Sequence, residues 1–354
     1  MKKWFYKHFL NKKYQTELDP LKIKKVLILR YDRLGDMVVT LPLIKSLKEA
    51  YPNYQIDILA SDLNQSIVRD NPYVNNIYIY NFREKRSLFQ FFKVFKKLRE
   101  ERYDLVIDPF YSNISRAASH LKFIDAKFNI GLAKRERYGL KSKDFKLFYD
   151  YVPFNQKEHL SDNILNISTL LGLNKEDFLR EDVLDYVHSY EKGALTFLKS
   201  YQNKKVILFN IQGSSQVRSF NDNFIMSFSK ELISESHIQV IIVAMPNRKE
   251  KLQTLVNKEN NSRIVLANTK SILDAVALIK HVPIVISPDT SIVHIASCFQ
   301  KKIITFYKDN LMNKIIFAPY TKNYKMFMYD DLYQLTSNDA KTIFSTILKE
   351  RHLV

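Results

Sequence analysis

Short runs of aliphatic and β-branched residues alternate along this chain with longer stretches in which apolar positions recur every three or four residues. The runs "KKVLILR", "YQIDILA", "NNIYIYNF" and "DLVIDPF" have the length and makeup of strands, while "MVVTLPLIKSLKEAYP" and "SLFQFFKVFKKLREERY" between them carry the helical period. A second series starts at "NKKVILFNIQ" and runs through "NDNFIMSFSKELISE", "IQVIIVAM", "RKEKLQTLVN", "RIVLAN", "SILDAVALIKH" and "PIVISPD" to "KKIITFY". Strands separated by helices predict parallel sheets covered on both faces, and two such series predict two α/β domains. A length of 354 residues agrees, because one hydrophobic core seldom keeps growing to that size. The expected organisation is an N-terminal segment over 1–22, a first domain over 23–175, a helical connector over 176–202, a second domain over 203–335 and a terminal helix over 336–354.

Charge adds one constraint. Fifty-five Lys and Arg against 37 Asp and Glu give +18, a field that attracts nucleic acid, anionic lipid or phosphorylated sugar. Lys, Asn, Ile, Tyr and Phe are abundant everywhere, however, so charge alone does not choose among these. The single cysteine, Cys298, leaves no intramolecular disulfide and no cysteine zinc site, which suits a reducing cytoplasm. No apolar run reaches the ~18 residues of a membrane span. The start, "MKKWFYKHFLNKKY", is broken by Lys7 and His8 and lacks the form of a secretory signal. Its mixture of lysines with Trp4, Phe5 and Phe9 suits either an interfacial helix on anionic lipid or a disordered or core-packed tail.

Ligands of open parallel sheets bind beyond the carboxyl ends of the strands, so the informative residues follow strands and precede helices. The chain holds six glycines where about 25 would be average, and two of them, Gly35 and Gly213, fall at such places. In "LRYDRLGDMVV", Gly35 gives the turn freedom and Asp36 stands at a helix start; the acid is either a helix cap or a general base. "GSSQVRSF" combines amides, the hydroxyl of Ser214 and the fork of Arg218, which are donors for a diphosphate. "SPDTSIVHIAS" opens a helix at Thr290 or Ser291, a natural phosphate site, with Asp289 before it and His294 one turn on. Neither G-x-G-x-x-G nor G-x-x-x-x-G-K-[ST] occurs, which weighs against a dinucleotide dehydrogenase and a P-loop kinase, and no Asp-x-Asp pair offers a metal clamp. The clusters "REKR" (83–86) and "KRER" (134–137), with "SNISR" nearby, make the first domain a candidate anionic-acceptor surface through Arg116 and Arg137.

Taken together, "KKVLILRYDRLGDMVVTLPLIKSLKEAYPNYQIDILASDLNQSIVRDNPYVNNI" and "SILDAVALIKHVPIVISPDTSIVHIAS" resemble the bacterial ADP-heptose:lipopolysaccharide heptosyltransferases. The resemblance implies a GT-B fold, two Rossmann-like parallel-sheet domains facing across a cleft, with a C-terminal helix crossing back to the first. It implies inverting transfer without a metal or other cofactor, from ADP-heptose to a sugar of the lipopolysaccharide core, in the cytoplasm, with the anionic inner-membrane surface as a candidate partner and nucleic acid not expected. Carried over by motif, Asp36 would be the base, Thr290, Ser291, Ser214, Arg218 and His294 would hold donor phosphate, and Asp289 would meet the donor sugar. Lys270, Ser271 and Glu250 would attend the nucleotide, and Gly35, Arg116 and Arg137 the acceptor. Ser291 stands where the family usually has glycine, and Arg218 where lysine is common. The rival expectations are another nucleotide-sugar donor on the same fold and a non-enzymatic binder of anionic polymers.

Overall fold

The computed structural model describes residues 4, 11–81, 87–144, 146–178 and 180–349. The chain forms two compact units, 1–180 and 181–354. Residues 1–3 and 5–10 of the basic N-terminal segment, and the cluster at 83–86, lie outside the described residues.

In the first unit, strands β1 (Lys25–Leu29), β2 (Gln55–Ala60), β3 (Asn76–Ile79), β4 (Leu105–Asp108), β5 (Phe128–Leu132) and β6 (Asp150–Val152) make one parallel sheet in the order β3-β2-β1-β4-β5-β6. Val26 pairs with Ile56 on one side and Leu105 on the other. The strands read as nearly unbroken apolar runs because both faces are covered: Leu27, Leu29 and Val106 are buried with Phe95 and Leu98 of one helix and Ala117 and Leu121 of another. The helices are α1 (Leu34–Val38), α2 (Leu41–Ala50), α3 (Gln65–Val68), α4 (Ser87–Glu100), α5 (Ile114–Ile124) and α6 (Leu160–Leu165).

The second unit repeats the plan. Its strands, β7 (Lys205–Asn210), β8 (Ile238–Val243), β9 (Ile264–Leu266), β10 (Ile284–Pro288), β11 (Lys302–Tyr307) and β12 (Tyr324–Met328), are ordered β12-β11-β10-β7-β8-β9, all parallel. Read from the other edge, this is the same winding as the first sheet. The order reverses between β1 and β4 in one unit and between β7 and β10 in the other. Those are the two places where an open α/β sheet leaves a crevice for a ligand. The helices are α7 (His188–Lys199), α8 (Asp222–Ser234), α9 (Pro246–Glu259), α10 (Ile272–His281), α11 (Ser291–Cys298), α12 (Leu311–Ile315) and α13 (Ser337–Lys349).

The structure shows what three of these segments pack against. The segment expected as a helical connector, 176–202, is divided by the boundary at 180, and its helix α7 lies on α10, where Glu191 accepts from Lys280 at 2.9 Å and His281 at 3.0 Å. Those donors hold the Glu191 carboxyl down at about 2. The terminal helix α13, expected to cross to the first domain, places Ala340, Ile343, Phe344 and Ile347 in the second unit's core against α8. Its apolar stripe finds there the partner that a helix face needs. Residues 11–18 of the N-terminal segment run beside the first sheet, with Tyr14 stacked on Phe128 at 6.0 Å, so this part of the segment is integral to the first unit.

Candidate active site

At the first reversal, β1 is followed by Arg30, whose buried guanidinium organises the turn. Its Nε donates to the Asp36 carbonyl at 2.8 Å, its Nη1 lies 3.4 Å from Asp32 Oδ2, and its Nη2 lies 4.0 Å from Asp36 Oδ1. The Asp36 carbonyl also accepts from Thr40 Oγ1 at 2.8 Å. Asn64, fully buried, donates to the Arg30 carbonyl at 2.8 Å and so ties this turn to the loop after β2. Two carboxylates thus share one buried cation. Burial pushes the Asp32 carboxyl up to about 8, with Arg30 opposing the rise and Asp36 adding to it. Arg30 Nη2 and Asp32 Oδ1 are buried without a hydrogen-bond partner among the described residues. Asp36 itself sits in the first turn of α1, its side chain 22% exposed.

Gly35 corrects one expectation. It lies inside α1 and is not among the positive-φ glycines, so the turn does not depend on its conformational freedom. Arg116 and Arg137 are both exposed beside the start of α5, and Arg137 Nη1 donates to Ser115 at 2.9 Å with its guanidinium 4.8 Å from the Tyr138 ring.

Beneath this turn the core holds polar groups that are matched to one another. Tyr31 and His120 share a hydrogen bond at 2.8 Å, and burial drives the imidazole down to about 3, so His120 is neutral there. Lys134, fully buried, meets Asp108 Oδ1 at 3.0 Å and the Asp108 carbonyl at 3.1 Å.

The second reversal gathers most of the residues expected to bind donor phosphate. Arg218 Nη1 reaches Asp289 Oδ2 at 3.1 Å. Asn210, the last residue of β7, donates to Ser287 Oγ at 2.9 Å and Thr290 Oγ1 at 3.2 Å, and these two hydroxyls are 3.0 Å apart. Thr290 caps α11 by accepting from Ile292 N–H, leaving Ser291 as the first helical residue. Gly213 closes the group: a Cβ there would stand 2.8 Å from both Arg218 Cβ and the Arg218 carbonyl and 3.4 Å from Thr290 Cγ2. Only glycine lets the two loops approach this closely. Ser214 is exposed on the same loop, while His294 is buried a turn into α11.

The residues expected to attend a nucleotide follow the next strands outward, β8 and β9. Glu250 is exposed on α9, and Lys249 beside it donates to the Thr269 carbonyl. Ser271 caps α10 in a reciprocal pair with Asp274, whose carboxylate also accepts from Lys270 N–H at 2.7 Å; its hydroxyl is committed to the helix start. Sequence reasoning missed Asn210, Ser287, Arg30 and Asp32. Asn210 and Ser287 are polar residues at the ends of apolar strands, Arg30 and Asp32 follow one within three residues, and those positions were the available signal. Among the described residues no group of three or more His, Cys, Asp or Glu could hold a metal, and no helix is long and apolar enough to cross a membrane.

Comparison with known proteins places this geometry. The model of glycosyltransferase family 9 (heptosyltransferase) matches residues 91–347. Lipopolysaccharide heptosyltransferase 3 of Escherichia coli is 24% identical over 318 residues, spanning 87% of this chain and 89% of that protein. Among solved structures, a family 9 glycosyl transferase from Veillonella parvula superposes with a TM-score of 0.70 at 17% identity, covering 95% of this chain and 99% of that one. Escherichia coli heptosyltransferase WaaC with ADP gives 0.68 at 17% identity over 91% and 99%. At that identity the structural likenesses speak for the fold, two α/β units of the GT-B class. The family match covers most of the chain, and the chain therefore belongs to glycosyltransferase family 9, the heptosyltransferases.

Proposed function

We propose that this glycosyltransferase moves a heptose from ADP-heptose to a sugar of the lipopolysaccharide core, with inversion at the anomeric carbon and without a metal. The carrying observation is the convergence of Gly213, Arg218, Asp289 and Thr290 at the reversal between β7 and β10. A diphosphate there would meet the Arg218 fork and the free amides of α11, which opens at Ser291. Asp289 holds the guanidinium in place and has a second oxygen for a sugar hydroxyl. The relatives' names supply the sugar, and the WaaC structure was solved with ADP.

In this reading Asp36 takes the proton of the acceptor hydroxyl while that oxygen attacks the anomeric carbon. The bond from that carbon to the diphosphate breaks, and ADP leaves with the electron pair. Arg218 and the start of α11 stabilise the charge that develops on the leaving group, and His294 packs behind them in the same helix. One displacement by one base gives inversion. Arg116 and Arg137 would meet the acceptor, Lys270 and Glu250 the nucleotide. Such a donor is met in the cytoplasm, where the reaction would take place.

The test joins calorimetry to a transfer assay. Asp36→Asn should lower kcat by at least 10²-fold, in the range of lost general-base catalysis, and leave ADP binding intact. ADP should bind in preference to UDP, GDP and CMP without added metal, and Arg218→Ala should weaken it by tenfold or more. Equal loss of binding and turnover in Asp36→Asn would make that acid a structural cap instead. A preference for another nucleotide would discard heptose and keep the fold.

A further inference from the structure

At the edge of the first sheet, away from the reversal between β1 and β4, lies a cavity of about 570 Å³. Its volume is that of an ordinary small-molecule site. The cavity is walled by the segment at 12–14, by Ser142, Lys143 and Lys146, and by residues 148–151, which lead into β6. These residues precede their strands or begin them, whereas the catalytic turn follows β1.

The lining combines two chemistries. Lys13, Lys143 and Lys146 are exposed and make no ion pair among the described residues, although Lys12 beside them is bound to Asp125 at 3.3 Å and to the Ala126 carbonyl. Aromatic rings form the other wall. Tyr14 stands edge-on to Tyr149 at 5.3 Å, and the Tyr14 hydroxyl donates to the Leu147 carbonyl at 2.5 Å, which fixes the ring. Burial pushes that hydroxyl above its ordinary range, so it remains a donor. One carboxylate, Asp150, also lines the cavity and accepts from Tyr151 N–H at 2.7 Å. Three ammonium groups against one carboxylate leave the cavity cationic. Lysines serve as point charges for phosphate, and aromatic faces take the apolar face of a sugar ring.

We propose that this cavity is a second binding site, for a phosphorylated sugar, separate from the donor and catalytic residues. That ligand has two sources, a soluble sugar phosphate or a phosphosugar headgroup presented by a lipid, and both offer the same chemistry. The site does not rest on the identity of the transferred sugar.

The experiment titrates the full chain with glucose 6-phosphate, glucose and inorganic phosphate, and in parallel with phosphatidylcholine vesicles with and without phosphatidylinositol. The variants are Lys13→Glu/Lys143→Glu/Lys146→Glu, Tyr149→Ala, and a control with the same change in net charge, Lys192→Glu/Lys199→Glu/Lys258→Glu, on exposed helix positions of the other unit. Glucose 6-phosphate should bind and glucose should not. The cavity triple variant should bind on the order of 100-fold more weakly, as expected for three lysines facing an anion, while the control triple keeps wild-type affinity. Tyr149→Ala should weaken glucose 6-phosphate and leave inorganic phosphate unchanged. Binding to phosphatidylinositol vesicles with the same lysine dependence assigns the site to a lipid headgroup, and binding only in solution assigns it to a free sugar phosphate. Equal losses in the two triple variants would reduce the effect to diffuse charge and overturn the site, as would wild-type binding of both probes in the cavity variant. ADP affinity and thermal melting of the cavity variant, expected unchanged, separate its failure from misfolding and from failure of the proposed function.

Discussion

Arg30 decides what the two acids beside it can do. It is buried and lies between Asp32 and Asp36, so it holds the Asp36 main chain while sharing its charge with both carboxylates. Removing it would take the donor from the Asp36 carbonyl and the neighbouring cation from both acids, so Arg30→Ala should lower the denaturant midpoint. Asp32 carries the pH dependence. Its folded value, about 8, is raised above the ordinary value near 4, so the folded chain binds a proton that the unfolded chain gives up across that interval. Stability from this group is therefore fully present below about pH 4 and falls as pH climbs toward 8. Asp32→Asn, which mimics the protonated acid, should flatten the decline in denaturant midpoint between pH 5 and 8. An unchanged slope would show that Asp32 is ionised in the fold. Asp36 was legible because its motif has a fixed order, whereas Arg30 and Asp32 read in the sequence like the solvated charges found throughout this basic chain. Burial is a tertiary property, and nothing in "LRYDRLGD" announces it.

At the scale of elements, the alternation of apolar runs with amphipathic stretches was enough to find nine of the twelve strands, because parallel strands covered on both faces must be apolar, while β5, β6 and β12 went unread. The places where strand order reverses were not readable, since pairing partners lie far apart in sequence: β1 pairs with β4 across some 80 residues. The rule that sites follow strands nonetheless picked out the loops that the structure brings together at Gly213, Arg218, Asp289 and Thr290. It could not tell a nucleotide contact from a cap at Ser271, where one hydroxyl serves either end. Helices α7 and α13 were misplaced because an amphipathic face fits any apolar partner, and only the folded chain shows which one it covers. Gly213 is the sharpest test of the donor loop as a unit. Gly213→Ala brings a methyl against the Arg218 backbone, so the turn at 216–218 must shift. Overpacking of this kind costs about 1–3 kcal/mol, and ADP affinity should fall with it while the first unit is untouched. Calorimetry on the variant checks this: wild-type affinity would mean that the loop accommodates the methyl without moving Arg218.

For the whole molecule the question is what the charge of +18 is for. It is unevenly divided: residues 1–180 hold 33 basic against 21 acidic side chains, or +12, and the second unit holds 22 against 16, or +6. The residues proposed to bind the donor thus lie in the less cationic unit. Binding at Arg218, Thr290 and the α11 amides depends on a few fixed donors, and short-range hydrogen bonds are screened less than a diffuse field. Attraction of a polyanion to the first unit works by counterion release, with a steep dependence on salt. Raising salt from 50 to 200 mM should therefore reduce affinity for double-stranded DNA by 10²-fold or more and ADP affinity by less than tenfold. Parallel titrations by fluorescence anisotropy and calorimetry make the comparison. If DNA binding survived that increase with ADP binding absent, the charge would be the function and the transfer reaction would lose its support. If ADP alone persists, the excess charge acts at long range, drawing an anionic acceptor toward the unit that carries Asp36.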